Sequence, residues 1–95
     1  MTKETVFRVD YHEFEAIVNK EYGLTDYSIV ADEELNNDMS KSYSVTKREL
    51  NKYDLERLER FKNKEQVIYM SYILFQDLCN KEIIAEGKYI VDISW

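Results

Sequence analysis

The chain contains no proline, two glycines, one cysteine and one histidine, and each scarcity removes a class of function. With glycine only at 23 and 87, no flexible or polyproline linker can be drawn, so one domain spanning residues 1–95 is expected. Two isolated glycines cannot build the glycine-rich loops that cradle phosphates. The single cysteine, Cys79, precludes an internal disulfide and fits a reducing compartment. It has no CxxC partner, so a buried core thiol is expected rather than a nucleophile. His12 stands in the string HEFE, but adjacent helical positions do not converge on one ion, and the HExxH spacing is missing. No metal and no cofactor is expected. No apolar run reaches the roughly 18 residues of a membrane-spanning helix, and MTKETVFRVD lacks the apolar centre of a secretory signal. A cytoplasmic chain without membrane contact is the expectation.

What the chain does have is charge, unevenly placed. The net charge is −6. Residues 1–40 carry −7, residues 41–66 carry +3 and residues 67–95 carry −2. An acidic balance repels DNA, RNA and anionic membranes and suits a basic protein partner. The basic segment 47–64 interleaves Glu49, Asp54, Glu56 and Glu59 among its lysines and arginines, which describes a salt-bridged surface helix better than a nucleic-acid contact.

Periodicity supplies the elements. Thr5 to Asp10 alternates as a strand. Asp10 caps a following helix whose stripe is Tyr11, Phe14, Val18 and Tyr22, ended by Gly23. Tyr27 to Ala31 reads as a second strand, Asp32 to Ser40 as a long acidic loop and Ser42 to Val45 as a third strand. Thr46 and Glu49 have capping-box spacing, opening either one helix to about Lys62 or, as favoured, a turn followed by a helix capped by Asp54. The run VIYMSYILFQDLC, Val67 to Cys79, is too long for a strand in so small a domain. Its spacing at Val67, Met70, Leu74 and Leu78 makes it a helix. Tyr89, Val91, Ile93 and Trp95 then alternate as a final strand. The order β-α-β-β-α-α-β describes an α+β domain: a four-stranded, mostly antiparallel sheet with two to three helices on one face.

Candidate functional residues follow from charge and from the eight tyrosines. Carboxylates are abundant, but nothing separates two of them into the distinct environments that acid–base chemistry needs, so no enzyme is expected. Asp26, Asp32, Glu33, Glu34 and Asp38 form a row uninterrupted by a base. Tyr69 and Tyr72 lie three apart, off the apolar line of their helix, and tyrosine is favoured at interfaces. These seven are the expected partner-binding residues. The closing segment LFQDLCNKEIIAEGKYIVDISW, with the earlier YGLTDYSIVADEELNND, resembles small acidic proteins encoded by phages and other mobile elements. That resemblance implies a stoichiometric inhibitor of a host or defence protein, with imitation of nucleic-acid phosphates as one route, and it carries over no functional residue. Two other readings stand beside it. One is a sheet–helix pocket acting as a nucleotide-type ligand sponge, and the other is a structural part of a larger assembly, a homodimer included.

Overall fold

The computed structural model describes residues 5–94. Its elements are β1 (Val6–Asp10), α1 (Tyr11–Tyr22), α2 (Ile29–Asp32), β2 (Ser40–Val45), α3 (Lys52–Lys62), α4 (Ser71–Asn80) and β3 (Gly87–Asp92). The class is α+β, but the sheet has three strands in the order β1-β3-β2 and is mixed. The parallel pair is β1 with β3, Phe7 opposite Tyr89 and Val9 opposite Val91. The antiparallel pair is β2 with β3, Tyr43 opposite Tyr89. Alternation places Tyr43, Val45, Tyr89, Val91 and Ile93 in the core, while Ser42 and Ser44 stay exposed on the other face. On that wet face Arg8 and Asp92 form an ion pair at 2.8 Å. Trp95, expected on the core face, lies outside the described residues.

The strand expected over Tyr27–Ala31 does not exist, which is why four strands become three. Side chains of α1 take the backbone donors that a strand would offer to a neighbour. Asn19 Oδ1 accepts from Tyr27 N at 3.0 Å, and Glu15 Oε2 accepts from Ile29 N at 3.1 Å. The Ser28 hydroxyl then caps the single turn of α2, and Ile29 reaches the core from that turn instead of from a sheet face.

α1 begins and ends as its sequence prescribes. Asp10 accepts from His12 N, and Gly23 closes the helix at φ 65°. α3 follows an irregular segment over 46–51, and its cap is Asn51, which accepts from Asp54 N at 2.8 Å, and not Asp54. α4 begins four residues later than the apolar run. Tyr69 adopts φ 60°, a left-handed conformation that no helix continues through. The Arg57 guanidinium donates to the carbonyls of Ile68 and Tyr69 and secures that break.

α4 is the centre of the molecule, and it is buried almost all round. Ile73, Leu74, Phe75, Leu78 and the Cys79 thiol are all in the core, and burial raises the thiol pKa. The Phe75 ring stacks on Phe14 at 4.2 Å and on Tyr43 at 4.8 Å, and meets Tyr89 at 5.2 Å. It thereby joins α1, β2 and β3. Polar residues on a helix buried this way need partners, and they have them. Gln76 donates to Thr46 O and to Asn80 Oδ1. Asp77 accepts from the Tyr22 hydroxyl at 2.5 Å and pairs with Lys81 at 3.0 Å.

Candidate functional site

The acidic row 32–38 is not one surface. Asp32 is buried, and its Oδ2 accepts from Met70 N at 2.9 Å and Ser71 N at 3.1 Å. It is the N-cap of α4, supplied from 38 residues away, since Met70 makes no side-chain cap of its own. Glu33 is also turned inward, 6% exposed. It pairs with Lys41 at 2.7 Å and accepts from the Ser71 hydroxyl, which in turn bonds Tyr43 at 2.9 Å. Asp32 and Glu33, expected on a partner-binding surface, are therefore part of the scaffold. The physical reason is that α4 presents amide donors and a hydroxyl that compensate the carboxylates once they are buried.

Burial raises the pKa of Asp32 despite these donors, and it raises that of Tyr43 as well. Asp32→Ala should lower stability by about 2 kcal/mol, because two amides lose their acceptor, and Asp32→Asn should lose less. A carboxyl whose pKa is higher folded than unfolded stabilises the fold below its unfolded pKa and loses that contribution as pH rises through its folded pKa. Against Asp32→Asn, the wild type should therefore lose relative stability from about pH 4 upward, read by urea unfolding at several pH values.

Outside, Asp26, Glu34 and Asp38 remain exposed. Glu34 sits at φ 55° and Asp38 at φ 58°, and Tyr69 accompanies them at φ 60°. The Tyr69 ring is 46% exposed, and its hydroxyl donates to Glu34 at 3.2 Å. Two left-handed residues, one acidic and one aromatic, thus stand side by side. A non-glycine residue in that region costs on the order of 1–3 kcal/mol, which the surroundings must offset. Tyr72 is directed elsewhere. Its hydroxyl accepts from Arg48, whose guanidinium lies 5.8 Å from the ring centre, so Tyr69 and Tyr72 do not form one patch.

A second feature had no signal in the sequence. The segment after α1 and the segment joining α3 to α4 enclose a groove of about 560 Å³. Leu24, Phe61 and Val67 give it apolar walls, with Asp26, Lys64 and Glu65 among its polar groups. Tyr27 also lines it, and the Tyr27 hydroxyl is buried with no hydrogen-bond partner among the described residues. Burial, followed by the charge of Asp32, raises its pKa. An unpaired buried hydroxyl is destabilising, so Tyr27→Phe should raise the unfolding free energy by about 1 kcal/mol. Tyr22→Phe, which loses a bond to Asp77, should lower it by a similar amount. Paired thermal melts separate the two.

Among the described residues no group of three or more His, Cys, Asp or Glu is placed to hold a metal ion, and no helix is long and apolar enough to cross a membrane. No protein-family model, curated protein or solved structure matches the chain.

Proposed function

We propose that the protein is a non-catalytic interaction module that binds a protein partner with a basic surface, in the manner of the small inhibitors it resembles. The contact face is built on Tyr69, Glu34 and Asp38. The observation that carries this reading is the exposed Tyr69 ring held at φ 60° against Glu34. A strained, half-exposed aromatic beside a carboxylate is a poor choice for stability alone, and it is suited to filling a partner's pocket while the carboxylate meets a cation. Action in the cytoplasm on a host or defence factor belongs to the same reading. Imitation of a phosphate backbone does not, because Asp32 and Glu33 are turned inward and break the row of carboxylates that mimicry would need.

The test uses the wild-type chain as bait beside two variants. Glu34→Lys with Asp38→Lys should reduce partner retention about tenfold and remove its salt sensitivity. Tyr69→Gly should weaken binding by more than tenfold while leaving Tm within a few degrees, because glycine relieves the left-handed backbone. A partner held equally by all three baits would overturn the reading.

A further inference from the structure

The groove beside Tyr27 is separate from the Tyr69–Glu34 contact, and its chemistry points to a different kind of ligand. We propose that it binds a small organic cation, an ammonium group carried on a flat apolar body. Its volume, about 560 Å³, falls in the range of roughly 300–1,000 Å³ typical of small-molecule sites. The apolar body is met by Phe61, Leu24 and Val67. The charge is met by the exposed Asp26 and Glu65 against a single base, Lys64, while Asp32, also in the lining, is taken up by the amides of α4. Asp26 makes no ion pair among the described residues, and Glu65 has only a loose one to Arg60 at 3.6 Å. An anionic ligand such as a nucleotide would meet two exposed carboxylates and one ammonium, which argues against a phosphate-bearing ligand.

The walls are set before any ligand arrives. On one side, the bonds from Tyr27 N to Asn19 and from Ile29 N to Glu15 tie residues 27–29 to α1. On the other, Lys64 N donates to Phe61 O and Glu65 N to Arg60 O, both at 3.0 Å, which fixes the exit of α3. A preformed groove spares a ligand the ordering of loops, so modest contacts can give measurable affinity.

The full chain, isotopically labelled, is titrated by NMR with tryptamine and with indolepropionate, which carries a carboxylate in place of the ammonium. Tryptamine should shift the amides of residues 24–28 and 64–68 with a dissociation constant near a millimolar, and indolepropionate should not. Asp26→Asn with Glu65→Gln should weaken tryptamine about tenfold. Glu13→Gln with Glu86→Gln removes the same charge outside the groove and should change binding less than twofold. Absence of shifts with tryptamine, equal binding of the two compounds, or equal weakening by both double variants would each overturn the proposal.

Discussion

Phe75→Ala should destabilise the protein by about 4 kcal/mol and lower Tm by roughly 20 °C. The ring is 2% exposed and contacts aromatic rings from α1, β2 and β3 at once. Truncation removes the transfer energy of a whole phenyl group. It also opens a cavity whose walls belong to three different elements and cannot close together. Phe75→Leu keeps most of the volume and should cost about 1.5 kcal/mol. Denaturant unfolding gives both values. A loss under about 1 kcal/mol for the alanine variant would mean that the ring does not hold these layers together.

Gly87→Ala should cost about 3 kcal/mol, a loss out of proportion to one methyl group. A Cβ at position 87 would stand 2.6 Å from the Thr5 carbonyl oxygen and 2.8 Å from Phe7 Cε2, on a backbone at φ 154°. Phe7 can rotate, but the Thr5 carbonyl cannot withdraw freely, because it accepts the Lys88 amide at 2.8 Å. Gly87 also pairs with Val45 across the antiparallel side, so the methyl disturbs the start of both ladders. Gly23 provides the comparison. A Cβ there meets nothing within 4 Å, although φ is 65°, so Gly23→Ala should cost only the left-handed penalty of about 1 kcal/mol. Urea unfolding of the two variants distinguishes close approach from backbone preference, and equal losses would refute the steric account.

Those two glycines also show which parts of the fold were legible in the sequence. Gly23 follows a helix whose cap and stripe are local features, so Asp10, Phe14, Val18 and Gly23 could all be placed from spacing alone. Gly87 reads as an ordinary turn residue, because nothing in its own neighbourhood announces Thr5. The alternation of Tyr89, Val91 and Ile93 identifies their strand and its buried face, yet a parallel partner 82 positions away leaves no local trace. Segment 27–31 has strand-like alternation and is claimed by the side chains of Asn19 and Glu15 instead. The acidic row misled for a related reason. Charge is visible in a sequence, but the amides of α4 and the ammonium of Lys41 that let Asp32 and Glu33 turn inward are not. Glu34, Asp38 and Asp26 remain outside as expected, and the groove, assembled from two distant loops, could not be seen at all.

The place of β3 in the sheet governs when this protein can be made whole. Among the described residues it follows the other six elements in chain order, and β1 and β2 pair only with it. On an emerging chain the two earlier strands therefore have no partner, and the aromatic faces of α1 and α4 have no platform to cover. Both of those helices lack part of their packing surface until residues 87–92 arrive. Sheet closure should then come late and depend on long-range encounter. A chain interrupted before Gly87 should be a substrate for chaperones and proteases instead of a smaller folded unit.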